Sequence, residues 1–436
     1  DHGGSWRSIA GDLPEGTIAW AIQQDHVNRD LLFLGTEFGV YFSLNGGENW
    51  HKLAGAPTIA FRDIKLQRRD NDLVGATFGR GFYILDDYSA LRTMAQTGFG
   101  EKPELFPVRD AWWYIPSVPM QAAGMPTLGS DSYVSANPDF GAVFTYYLDE
   151  PFQTARDQRH EVESKLRDQA SDVPFPGWDR LTAESLEADP QVLILVSDEA
   201  GNPVRWLEAI NERGTHRVSW DLRFPAVNPI DLSTPEFSPP WETDPQGPLA
   251  APGPYSAQLI AVTGEQVLPL GEAQPFNVKP VHEVLPGSDY AEIARYQQET
   301  SELLRDIMKT GAVLDQKLEL LGKMKAAAMA APRAEPGLFQ DLDRLGAELT
   351  RIKTRLSGDP VRQGLNESTS PSIQGRAYNA ASTWRTTQAA TSTQRSDFEQ
   401  AKRDFASLSA GLDSLLNDEL GRLQQELVNA GAPGWL

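Results

Sequence analysis

Through the first hundred residues, apolar side chains arrive in short runs separated by Gly, Asn and Asp. The runs "TIAWAI", "LLFLGT", "GVYFSL" and "WHKL" are followed by "FRDIKLQ", "LVGAT" and "GFYIL". Each has the length of a strand and is rich in β-branched or aromatic residues, and the residues between them favour turns. After a Pro/Gly/Ser-rich crossing from Met120 to Pro138 the runs resume as "GAVFTYYL", "VLILVSD", "GNPVRWL", "GTHRVSWDLR" and "APGPYSAQLIAV". In "RVSWDL" the residues Val218, Trp220 and Leu222 alternate with polar ones, as a half-buried strand requires. The stretch "QTARDQRHEVESKLRDQ" is too charged for a core and reads as a solvated helical insertion.

From Ser288 the period becomes helical. Ile293, Tyr296, Leu303, Leu304, Ile307, Leu314, Leu318 and Leu321 form one apolar stripe. Pro336 suits the first turn of a second helix, Gly337 to Leu356, and "SGDPVRQGLNESTSPSIQGR" reads as loop. The last helix, Ser396 to Asn429, carries Phe398, Phe405 and a run of leucines from Leu408 to Leu427, and stops at "NAGAP". The pattern predicts a bundle in which this helix runs antiparallel beside the first. A cofactor box is the competing reading. There is no Glu-x-x-His, however, and no His beyond His282, so core packing is preferred.

The first hundred residues also repeat. "DHGGSW" and "SLNGGENW" fit one pattern, Ser/Thr-x-Asp-x-Gly-x-x-Trp, with Asp1, Gly3 and Trp6 in the first copy and Ser43, Asn45, Gly47 and Trp50 in the second. The two tryptophans stand 44 residues apart, within the roughly 40 to 50 of a four-stranded propeller blade. "GTEFGVYFS" returns as "ATFGRGFYIL", but "DDYSALR" stands where a third Gly-rich turn is due. In the turn, Gly47 can take positive φ, the Asn side chain can bond backbone N–H groups, and the Trp can pack on neighbouring strands. The first copy lacks its opening two positions, so an orphan strand led by Trp6, a raw apolar edge and further blades upstream are expected.

The motif resembles the Asp-box repeat of sialidase-like, xyloglucanase-like and sortilin-like propellers. "GRGFYILDDYSALR" followed by "LFPVRDAWWYIPS" resembles the exit from the last blade in large bacterial proteins of the BNR or sortilin-like type, often labelled glycosyl hydrolases. The pairing of "SWDLR" with "PGPYSAQL" resembles an Ig-like module. The resemblance implies a multidomain, β plus α chain: an incomplete Asp-box β-propeller over residues 1–118, a linker at 119–142, an Ig-like β-sandwich at 143–283 with a charged helical insertion at 151–189, and a C-terminal antiparallel helical bundle at 288–436. It also implies a secreted or periplasmic location.

Composition narrows the partners. Sixty acidic against 39 basic residues give a formal charge of -21, which argues against nucleic acid and anionic membrane surfaces. No apolar run approaches the roughly 20 residues that span a bilayer. With no cysteine, disulfide and thiolate chemistry are excluded.

Candidate chemistry is sparse. His2, His26, His51, His160, His216 and His282 form no pair at metal-ligand spacing, so neither a metal nor a cofactor is expected. There is no Gly-x-Ser-x-Gly elbow or phosphate loop, and "GATFGRG" lies between two strands instead of opening a helix. Asp86 and Asp87 fall at a strand end, where a turn role fits. A ligand, carbohydrate or peptide, is expected on the rim opposite the Gly-rich turn, at Glu37, Phe38, Arg62, Asp63 and Arg80, with Phe61 and Phe78 alongside. Two functions follow: part of the wall of a carbohydrate-active hydrolase, this chain alone being noncatalytic, or a noncatalytic sortilin-like propeller binding peptide or protein. The helical tail is expected to serve as a spacer or a homodimer contact.

Overall fold

The computed structural model describes residues 4–98, 102–116, 135, 137–233, 244–264, 266–281 and 289–435. The chain divides into two compact units, one of Asp1–Ala111, Ala136–Trp220 and Pro254–Asn277, the other of Trp112–Ser135, Asp221–Gly253 and Val278–Leu436. It is a mixed β plus α protein with a helical C-terminal region.

The first unit opens with two antiparallel sheets. Strands β1 (Ala19–Gln24), β2 (Leu32–Thr36), β3 (Gly39–Ser43) and β4 (His51–Lys52) form a four-stranded meander, and β5 (Phe61–Gln67), β6 (Asp72–Thr77) and β7 (Phe82–Leu85) a three-stranded one. Phe33, Val40 and Phe42 of the first sheet bury against Phe61, Ile64 and Leu73 of the second. The sheets approach closely because Gly35 has no side chain: a Cβ there would lie 2.7 Å from the Phe61 carbonyl oxygen. Helix α1 (Ala90–Thr97) follows where the sequence lacks a third Gly-rich turn. The orphan strand expected behind Trp6 is not formed: no strand occurs among residues 4–18, where Ile9 and Asp12 are instead bonded to Trp50.

Strands β8 (Glu104–Leu105), β9 (Ala111–Trp113) and β10 (Ala142–Leu148) come next, then helices α2 (Ala155–Asp168) and α3 (Trp178–Leu186). The charged α2 is closed by a Thr154–Asp157 capping box and buries none of its residues, as a solvated insertion should. Strands β11 (Gln191–Asp198), β12 (Pro203–Ala209), β13 (Gly214–Trp220), β14 (Gly253–Thr263), β15 (Gln266–Pro269) and β16 (Gln274–Pro280) complete two further sheets, ordered β13-β10-β8 and β12-β11-β14-β16-β9, with β15 on β14. Aromatic contacts join them: Phe144 meets Phe276 at 5.6 Å and Trp220 meets Tyr255 at 5.4 Å between ring centres. Trp220 is fully buried there, a core residue.

In the second unit α4 (Tyr290–Met329) lies beside α5 (Pro336–Ser357), the short α6 (Pro360–Gly364), α7 (Ile373–Ala381), α8 (Ser392–Asp413) and α9 (Leu420–Ala430). One π-helical stretch, Ser414–Glu419, joins the last two into a continuous rod. The direction of that rod corrects the antiparallel expectation. Arg395 pairs with Glu292 and Phe398 packs on Tyr296 near the start of α4, whereas Arg333, just past its end, bonds Asn429 and Ala430. The rod therefore runs parallel to α4. The cause is α7, a helix that starts at the end of the segment read as loop and continues past it. Asp315–Lys353 and Asp343–Lys325 set α5 antiparallel to α4, and α7 continues that return path, with Tyr378 reaching Met308 and Thr383 reaching Gln297. The leucine stripes close on one another, and Val227 from the 221–253 segment joins them.

Candidate functional site

The Gly-rich turn shows what its residues do. Ser43 Oγ accepts the Gly47 N–H at 2.9 Å, and Asn45 Oδ1 accepts the Asn49 N–H at 2.9 Å. Trp50 is buried over Leu32, Leu34 and Tyr41, donating its indole N–H to the Ile9 carbonyl at 2.9 Å and its backbone N–H to Asp12 at 2.6 Å. These bonds, the Trp50 N–H first and Asn49 next, hold the Asp12 carboxyl below the usual carboxylate range. Gly47 has φ 91°, and a Cβ there would lie 2.7 Å from that of Ile9. In the first copy Asp1 and Gly3 lie outside the described residues, and Trp6 is 92% exposed.

At the other end of these sheets the register brings the predicted rim residues onto one edge. Ala19 stands opposite Thr36 and Phe61 opposite Thr77, so Glu37 and Phe38 after β2, Arg62 early in β5 and Phe78 after β6 share that end. The Phe78 N–H donates to the Ala60 carbonyl at 2.9 Å and ties the two loops together.

The organising residue is one that the pattern did not single out. Trp20, in β1, donates its indole N–H to Glu37 Oε2 at 2.7 Å, and the Arg62 guanidinium lies 3.5 Å from the centre of its ring. Phe78 flanks the same guanidinium at 5.4 Å. Phe38 and Phe78 are largely exposed, and Trp20 partly so. Glu37, Arg62 and Phe78 are thus brought together around Trp20. Asp63 turns away to Lys65 at 3.3 Å, and Arg80 lies exposed in the turn after Phe78. The signal for Trp20 was its strand phase, shared with the exposed Ile18 and Ile22.

Arg62 makes no ion pair among the described residues, and its guanidinium sits over the Trp20 indole, an arrangement in which an arginine's N–H groups can receive an anion. Glu37 has one oxygen committed to Trp20. Asp86 and Asp87 lie at the opposite end of the second sheet, where Leu85 stands opposite Leu73. Burial, and then the neighbouring Asp72 charge, push the Asp86 carboxyl up. Asp87 has φ 41° and donates its N–H to Asp72, a turn geometry. No group of carboxylates and imidazoles suited to a metal ion occurs among the described residues, and no helix there is long and apolar enough to cross a membrane.

No protein-family model matches the chain, and no curated protein matches it. Among solved structures, it is similar to the extracellular domain of a putative one-component system from B. thetaiotaomicron, at 11% identity and a TM-score of 0.13. That match covers 61% of this chain and 25% of the other, so the chain spans about a quarter of the length of the structure it matches. A likeness at that score does not define a fold.

Proposed function

We propose that residues 1–118 are the last blades of an Asp-box propeller, residues 143–283 an Ig-like sandwich and residues 288–436 a helical spacer, in a secreted or periplasmic protein that binds peptide or protein noncatalytically. The rim at Trp20, Glu37, Phe38, Arg62 and Phe78 receives a carboxylate set beside apolar groups. The reading rests on Arg62, an arginine without a carboxylate partner among the described residues, stacked 3.5 Å from an indole centre and flanked by Phe78. Carbohydrate hydrolysis by the same rim is the weaker reading, since Glu37 is engaged by Trp20 and Asp63 by Lys65. The leucine stripes are spent inside the bundle, which favours a spacer over a dimer contact for the tail.

Titration calorimetry with apolar peptides carrying a free or an amidated C-terminus tests this. The free-acid peptides should bind, their amides should bind at least about tenfold more weakly, a difference of about 1.4 kcal/mol, and Arg62→Ala should abolish the discrimination. Equal binding of acid and amide overturns the reading. So does turnover of aryl glycosides that disappears in Glu37→Gln or Asp63→Asn.

A further inference from the structure

The insertion between β10 and β11 is packed the wrong way round for a surface hairpin. A helix on a protein surface ordinarily turns its apolar stripe inward and its charges outward. Helix α2 buries none of its residues, and α3 buries only Glu184. That carboxylate takes the Arg159 guanidinium at 2.8 to 3.0 Å and Arg180 at 3.0 Å, while Arg159 also holds Glu163 and the Ala155 N–H donates to Glu187 at 2.8 Å. Leu166 and Leu181 are only half-buried. Charge, more than apolar burial, joins the two helices.

The large apolar residues face outward instead. Trp178 and Leu186 of α3 are 75% and 82% exposed, and Phe175, just before the helix, is 63% exposed with its ring 5.2 Å from that of Trp178 in an edge-to-face contact. Trp178, Thr182 and Leu186 are spaced by four, so they form one row on the side of α3 away from Glu184, about 12 Å long at 1.5 Å per residue. Asp179 lies beside that row, Asp172 and Asp189 flank it in the chain, and all three are exposed and pair with no cation among the described residues. Between Ala170 and Pro190 stand five acidic residues and a single basic one, Arg180, which is turned to Glu184. The face is apolar with an acidic surround.

We propose that this face of α3 docks a basic amphipathic helix of a partner protein, whose apolar stripe covers Phe175, Trp178 and Leu186 while lysines or arginines on its flanks meet Asp172, Asp179 and Asp189. A row of side chains at four-residue spacing is the ridge that a second helix takes into its groove, and burial of the exposed indole drives the contact. The acidic surround selects a cationic partner and repels a second copy of this chain, whose net charge is -21. It equally disfavours an anionic membrane. The proposal stands on the inverted packing of the insertion and is independent of the rim reading.

Fluorescence anisotropy of a fluorescein-labelled amphipathic peptide of leucine and lysine, titrated with the full chain, tests it. The peptide should bind, and Trp178→Ala and Leu186→Ser should each weaken binding at least about tenfold, the effect of losing a central anchor. Both variants should keep the parental thermal unfolding, because neither side chain is buried in the fold. Asp179→Asn should weaken binding more at low salt than at high salt, and Arg62→Ala at the rim should leave it unchanged. The same peptide with glutamate in place of lysine should not bind. Failure of the lysine peptide to bind, binding unmoved by Trp178→Ala, or equal binding of the glutamate peptide overturns the proposal. So does Trp178-dependent binding of the chain to phosphatidylcholine vesicles, which would make the face a membrane contact.

Discussion

Asp25 and Arg92 meet in a bidentate ion pair, 2.7 Å on both arms, with the carboxylate shielded from solvent. Asp25 follows β1 and Arg92 lies in α1, so the pair ties the exit helix to the first sheet. Tyr88 donates its hydroxyl to the same carboxylate at 2.8 Å, the Val27 and Asn28 N–H groups add two more bonds, and Arg92 reaches Asn71 beside β6.

Removing one partner of such a pair leaves the other charge buried and unpaired, so Asp25→Ala should cost about 3 to 5 kcal/mol. Burial pushes the Asp25 carboxyl up, but Arg92, the Asn28 N–H and Tyr88 together outweigh it and hold the group well below the usual carboxylate range. The folded value lies under the unfolded one of about 3.9. Its contribution is therefore complete above about pH 4 and is lost as the pH falls further. Thermal unfolding of the parent protein should fall more steeply below that pH than that of Asp25→Asn. Parallel curves would show that acid acts elsewhere.

Trp50 is the second fixed point, bonded at both nitrogens and buried over Leu32 and Leu34. Trp50→Ala should destabilise by about 3 to 5 kcal/mol, the usual penalty for emptying a large aromatic site. Denaturant unfolding measures it, and an unchanged midpoint would contradict the stapling role.

The rim should behave oppositely. Arg62 is exposed, and its stacking on Trp20 is worth about 0.5 to 1 kcal/mol at such a site. Arg62→Lys keeps the charge but loses the planar fork. It should leave the melting temperature within a degree or so while weakening carboxylate binding, a separation that calorimetry and thermal scans together can read. A large drop in melting temperature would make Arg62 structural.

What the sequence disclosed follows from how each element is stabilised. The seven strands of the first two sheets were legible because turn residues bracket short apolar runs, and Trp50 because the motif repeats. Trp20 was hidden: an exposed strand face of Trp20 and Ile22 has the same alternation as a buried one, and only the neighbour across the sheet decides which it is. Helix α7 was hidden because it starts inside a stretch rich in Gly, Ser and Thr that reads as loop and, apart from Ile373, packs through the small side chains of Ala377, Ala380 and Ala381. Missing that helix reversed the expected direction of the last one. The rim pairing of Glu37 with Trp20 depends on strand register, which no periodicity encodes.

That reversal can be tested directly, because the chain contains no cysteine and any introduced pair is unique. At 40 residues, α4 is about 60 Å long at 1.5 Å per residue, so its two ends are far apart. Glu292 lies near its start and is paired with Arg395 at 2.8 Å, whereas Gln425 belongs to α9, whose far end bonds Arg333 through Asn429. Cysteines at 292 and 395 should be joined within one chain by a short thiol-reactive linker, and cysteines at 292 and 425 should not. An antiparallel rod would reverse both results. The exposed Glu292–Arg395 pair itself contributes little to stability, about 0 to 1 kcal/mol, so the double variant should remain folded and the linkage should report helix direction alone.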